Sequence, residues 1–170
     1  MKLSNLYTPR DRKYIEDVSK LIKKTLFDMG SVCYISLDKS GDSVLEFCKK
    51  NKIDLKKVII IDMISNRFKK CKSTKNIIYL EIENMNKNFI EISKIIEKNR
   101  CSSIIFDSIS NLQVYYSKKD FVNFAKKLLS FSELNDITAN IIIQKEDTGQ
   151  NWTQSLIPFT GQIKEVKFLK

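Results

Sequence analysis

Apolar residues along this chain follow two rhythms that take turns. Tyr14, Val18, Leu21, Ile22 and Leu26 fall at helical spacing. The run Thr8-Pro9-Arg10-Asp11 reads as the start of that helix, with Thr8 as cap, Pro9 in the first helical position and Asp11 three residues after the cap. Gly30 reads as its stop. Residues 32–37 then form a strand pattern, and Ser40 precedes a second helix carrying Val44, Leu45, Phe47 and Cys48. The unbroken β-branched run at 58–61 has the character of a strand covered on both faces. After a basic loop come a strand at 77–80, a helix marked by Phe89, Ile92, Ile95 and Ile96, and an apolar strand at 103–106. Ser117, with Asp120 three residues on, opens a helix bearing Phe121, Phe124, Ala125, Leu128 and Leu129. A strand at 137–143 follows, then a short helical or irregular piece around Trp152 and Leu156 that ends at Pro158. Ile163, Val166, Phe168 and Leu169 suggest a last strand at a sheet edge.

Helices alternating with apolar strands predict an α/β fold with a mainly parallel sheet between two helical layers. No linker or low-complexity tract interrupts the pattern, so residues 1–170 read as one domain. The segments 58–65 and 103–110 echo each other, as two similar buried strands would.

Composition narrows the function classes. With 42% hydrophobic residues the chain can bury a core, so disorder is not expected. No apolar run is long enough to span a bilayer and the first residues lack a signal-peptide stretch, so a cytoplasmic location and no membrane partner are expected. There is no histidine, which removes Ser-His and Cys-His catalysis and argues against zinc. Cys33, Cys48, Cys71 and Cys101 form no CxxC pair and read as free thiols. The net charge of +10 is spread along a Lys-rich chain, with two denser stretches, Lys49, Lys50, Lys52, Lys56 and Lys57, then Arg67, Lys69, Lys70, Lys72 and Lys75. This 49–75 region is either a solvated surface or a nucleic-acid contact. Separately, Tyr115 and Tyr116 beside Lys118 and Lys119 either stack on bases or, as an aromatic pair flanking a helix start, form part of the core.

Candidate chemistry gathers where strands end. Asp38, Asp62 and Asp107 each follow an apolar strand, and Glu146-Asp147 comes soon after a fourth. Ligands of open α/β sheets bind at the carboxyl ends of strands, and carboxylates converging there could hold Mg²⁺. Each Asp alone could equally bond the turning backbone.

The segment Ile104-Ile105-Phe106-Asp107-Ser108-Ile109-Ser110-Asn111-Leu112 resembles the Walker B strand of the RecA superfamily, in particular its KaiC-like branch. Cys33-Tyr34-Ile35-Ser36-Leu37-Asp38 is similar to the family strand that precedes the acid polarising the attacking water, with Asp38 the closest match. The order of parts over residues 10–170 is similar too. The resemblance implies a RecA-like P-loop NTPase topology. The chain departs from active members at the phosphate loop, which needs Gly-x-x-x-x-Gly-Lys-Ser/Thr. Leu6-Tyr7-Thr8-Pro9-Arg10-Asp11-Arg12 stands in its place, and none of the four glycines, Gly30, Gly41, Gly149 and Gly161, begins such a loop. The N-terminus is thus degenerate, with at most a short first strand, although Arg10 and Arg12 could attract an anion. The layout is similar to that of archaeal KaiC-like regulatory proteins without a phosphate loop. It implies a non-catalytic regulatory or signalling domain with no bound cofactor, in which Asp107 and Asp38 are vestigial. The expected partner is a protein: a second copy of the chain or an active KaiC-like ATPase. Two alternatives stay open, a Mg-dependent enzyme with Asp38, Asp62 and Asp107 as ligands, and a basic nucleic-acid-binding module.

Overall fold

The computed structural model describes residues 4–82, 84–160 and 163–166. Among these the apolar strands form a seven-stranded sheet in which every pairing is parallel. The strands are β1 (Asn5–Thr8), β2 (Val32–Ser36), β3 (Val58–Asp62), β4 (Ile77–Tyr79), β5 (Ser103–Asp107), β6 (Thr138–Ile142) and β7 (Ile163–Glu165), in the spatial order β4-β3-β2-β5-β6-β1-β7. The main helices are α1 (Tyr14–Met29), α2 (Gly41–Lys50), α3 (Met85–Lys98) and α4 (Lys118–Leu134), followed by the short α5 (Asn151–Gln154) and α6 (Ile157–Thr160).

Alternation along each strand sorts the core into two layers. Val32 and Tyr34 of β2 and Ile105 of β5 pack under Val18, Leu21, Ile22, Val44 and Cys48 of α1 and α2. Their neighbours Cys33, Ile35, Ile104 and Phe106 face Ile92, Ile96, Phe121, Phe124 and Leu128 of α3 and α4. The expected three-layer α/β architecture is therefore present.

Three local expectations change. Thr8 lies at the end of β1, a buried strand between β6 and β7, and its hydroxyl has no partner among the described residues, so it caps nothing. Helix α1 starts later, behind a 3-10 turn at Asp11–Lys13. The buried Asp17 side chain organises that start: it accepts the Arg10 N–H at 2.8 Å and the Arg10 guanidinium at 3.0 and 2.5 Å. Pro158 does not end the helical piece but sits in the first turn of α6, where a missing N–H is tolerated. The last strand does lie at an edge, through Glu165, while Phe168 and Leu169 fall outside the described residues. Ser40 and Ser117 cap α2 and α4 as their spacing predicts, accepting the N–H groups of Ser43 and Asp120 at 3.2 Å each.

At the carboxyl edge of the sheet, Asp62 ties three segments together. Its carboxylate accepts the Gly41 N–H at 2.6 Å, the Ile64 and Ser65 N–H groups at 2.8 and 2.9 Å, and the Ser65 hydroxyl at 2.6 Å. A Cβ at residue 41 would collide with Ile77 Cγ2 and press to 3.3 Å on the Asp62 side chain, so this approach requires glycine. We predict that Asp62→Ala, which strands several buried donors, costs about 3 kcal/mol in urea unfolding. Asp62→Asn, which keeps an acceptor, should cost clearly less.

Candidate functional site

The sheet order reverses between β2 and β5, which makes their carboxyl ends the natural place for a site. Ser36 of β2 stands in register with Asp62 on one side and Asp107 on the other, so the three side chains form one row facing α1 and α2. Strands spaced about 4.8 Å apart set the two aspartates about 9.6 Å apart along that row. Asp62 turns to the loop donors described above and Asp107 turns to α1.

Asp107 is completely buried. Tyr14, in the first turn of α1, donates its hydroxyl to Oδ1, and Tyr34 of β2 donates to Oδ2. The Lys39 ammonium approaches Oδ2 at 3.6 Å. It also contacts both oxygens of the exposed Asp38 at 3.2 Å and lies 4.6 Å from the centre of the Tyr14 ring. Ser36 fixes the loop that delivers this lysine: its hydroxyl donates to the Lys39 carbonyl at 2.7 Å and accepts the Lys39 N–H at 3.2 Å. Below the cluster is a cavity of about 210 Å³ walled by Val18, Val44, Phe47 and the two tyrosines.

The structure thus joins Asp107 and Asp38 through Lys39 and leaves Asp62 out. No group of three or more Asp, Glu, Cys or His side chains able to hold a metal exists among the described residues. Glu146 and Asp147 lie in a separate 3-10 turn after β6, with Asp147 accepting the Gln113 amide at 3.1 Å. Arg10 is engaged by Asp17. Beyond β1 an open groove is lined by Thr8, Arg12 and Lys145 but also by Asp11 and Glu165, so its charge is mixed. Trp152 is 3% exposed and packs edge-on against Phe121, so it closes the core. Tyr116 packs on the core with its hydroxyl on Asn88 at 3.3 Å, and Tyr115 carries the Arg67 guanidinium at 4.4 Å.

Sequence reasoning identified Asp107 and Asp38 but not Tyr14, Lys39 or Asp17. Tyr14 falls on the apolar stripe of its helix, yet a buried phenol needs a partner for its hydroxyl, and that requirement points to the nearest strand-end acid.

Active members of the family that the chain resembles would hold a magnesium nucleotide here, and these residues do not fit one. Both Asp107 oxygens accept tyrosine hydroxyls, and an ammonium stands between Asp107 and Asp38 where a cation would be held. At the β1–α1 turn, Pro9 offers no N–H and the Arg10 N–H is taken by the Asp17 carboxylate.

No family model matches the chain, and no curated protein is similar to it in sequence. Among solved structures it is similar to a KaiC-like protein from the hyperthermophilic archaeon Pyrococcus horikoshii, with a TM-score of 0.59 and 11% identity over 84% of this chain. The match spans 61% of that protein, about three fifths of its length. This likeness establishes the class of fold, the KaiC-like, RecA-type α/β arrangement. No helix among the described residues is long and apolar enough to cross a membrane.

Burial pushes the Asp107 carboxyl up to about 7, against the pull of the nearby ammonium and hydroxyls. A carboxyl raised on folding binds its proton more readily in the folded chain. Its contribution is complete below the ordinary carboxylate range and is lost as pH rises through about 7. Asp17 acts in the opposite sense: the Arg10 hydrogen bonds lower it, so its contribution is lost only under acid conditions. Wild-type stability should therefore fall by about 2–3 kcal/mol between pH 5 and pH 8, nearly all of it below about pH 7. Urea unfolding of Asp107→Asn should lack this decline.

Proposed function

We propose that this chain is a non-catalytic, KaiC-like regulatory domain that works through protein contacts, its nucleotide site closed by its own side chains. The carrying observation is the position of the Lys39 ammonium, 3.2 Å from Asp38 and 3.6 Å from Asp107, in the place a divalent cation would take between those acids. Each Asp107 oxygen also accepts a tyrosine hydroxyl, Oδ1 that of Tyr14 and Oδ2 that of Tyr34. The Asp17 carboxylate plays the complementary part at the first turn, giving the Arg10 N–H an internal anion.

A domain that keeps this fold without the nucleotide keeps the surfaces through which RecA-type domains associate. A second copy of the chain or an active KaiC-like ATPase is the partner this reading names. Phe27 and Leu134 are 88% and 85% exposed and supply apolar contact points on α1 and α4. The KaiC-like structural neighbour supports the same reading at the level of fold.

Purified protein should hydrolyse no ATP above the blank, and calorimetry with about 1 mM ATP and Mg²⁺ should register no binding. Turnover that disappears in Asp107→Asn would refute the proposal.

A further inference from the structure

Between β3 and β4 the chain returns to the start of the sheet without an α-helix, through a 3-10 turn at Ser65–Arg67 and an irregular segment, and this return lies outside the Asp107 site. Residues 63–80 contain no acidic side chain and carry Arg67, Lys69, Lys70, Lys72 and Lys75, all exposed. Hydrogen bonds trace its course along β4, which is the end strand of the sheet. Near the carboxyl edge, the Cys71 N–H donates to Asn66 Oδ1 at 2.9 Å. Beside β4, the Tyr79 N–H donates to Ser73 Oγ at 3.3 Å and the Thr74 N–H to the Ile77 carbonyl at 2.8 Å. At the amino edge, the Asn76 amide donates to the Leu55 carbonyl at 2.7 Å, next to the exposed Lys56 and Lys57.

The five basic residues of the return and this pair therefore run down one side of the molecule. None of the seven forms an ion pair with a carboxylate among the described residues, which is equally true of Lys23, Lys49 and Lys50 on the helices, so it is their alignment that sets the strip apart. Asp54 and Glu81 border the strip at its two ends, Glu91 shares a groove with Asn66 and Tyr79, and Asp42 lies near Tyr79. At the upper end Phe68 is 81% exposed, and beside it the Arg67 guanidinium stacks over the Tyr115 ring at 4.4 Å.

We propose that this edge binds single-stranded nucleic acid, the lysines tracking phosphates and Phe68 with the Arg67–Tyr115 stack receiving unpaired bases. A row of unpaired cations following a sheet edge suits a linear polyanion. Exposed planar groups at its end suit bases that are free to unstack. The preponderance of lysine suits backbone contact more than reading of sequence. An anionic membrane is the competing occupant, but it would favour cations spread over a face, whereas these follow an edge.

Fluorescence anisotropy with a labelled oligothymidylate of about 20 nucleotides tests this, and affinity should fall steeply between about 50 and 200 mM salt. Charge reversal at Lys69, Lys70 and Lys72 (each to Glu) should weaken binding at least about tenfold and flatten the salt dependence. The same reversal at Lys23, Lys98 and Lys127, exposed on α1, α3 and α4, changes net charge equally and should cost less than about threefold. Phe68→Ala should weaken binding about five- to tenfold with folding unchanged by circular dichroism. Equal losses in the two triple variants would reduce the effect to overall charge and overturn the proposal. So would absence of binding at low salt, or capture by phosphatidylserine vesicles without binding to the oligonucleotide.

Discussion

A carboxylate shut away from water at the hinge of a parallel sheet must be given partners, and Asp107 is such a group. Its needs explain much of the surrounding structure. Tyr34 reaches it from the neighbouring strand, and Tyr14 reaches it from the first turn of α1. Lys39 comes from the loop that Ser36 holds in place. Three segments distant in sequence are thereby fixed around one side chain, and the small apolar cavity beneath them is walled by residues of α1 and α2. Unpairing any of these partners would leave a charge or a hydroxyl in an environment that cannot solvate it.

The same logic recurs at the start of α1. A turn into a helix N-terminus attracts an anion, and a phosphate-binding protein leaves that position to its ligand. Here Asp17 supplies the negative charge and Arg10 clasps it through both main chain and side chain. With Lys39 as internal cation and Asp17 as internal anion, both charges of a magnesium nucleotide have counterparts within the chain. The proposed loss of catalysis thus rests on groups that fill the site as well as on the missing glycine-rich loop.

Much of this was legible in the sequence, and the boundary has a physical basis. Strand runs such as 58–61 and 103–106, and caps such as Ser40 and Ser117, are local signals that no tertiary contact overrides. Asp107 stands out from the other strand-end acids through the Walker-B-like segment 104–112 that contains it. The fates of the three aspartates do not, since each depends on which donors the folded chain brings near. Asp62 was diverted by Gly41, Ile64 and Ser65, a choice set by the close packing of α2 on β3 and β4. Thr8 carried a helix-start pattern but was drawn into the sheet, because β1 is needed to bridge β6 and β7. The basic stretch was visible as composition. Only the fold turns it into a strip, by laying the return along an end strand.

The internal ion set around Asp107 can be observed directly by soaking crystals with Mn²⁺ and a non-hydrolysable ATP analogue and recording anomalous scattering. No manganese peak is expected at Asp107, with the Lys39 ammonium still between the two acids and the Tyr14 and Tyr34 hydroxyls still on its carboxylate. A manganese peak bound by Asp107, with Lys39 swung away and ordered phosphates beside the first turn of α1, would contradict it.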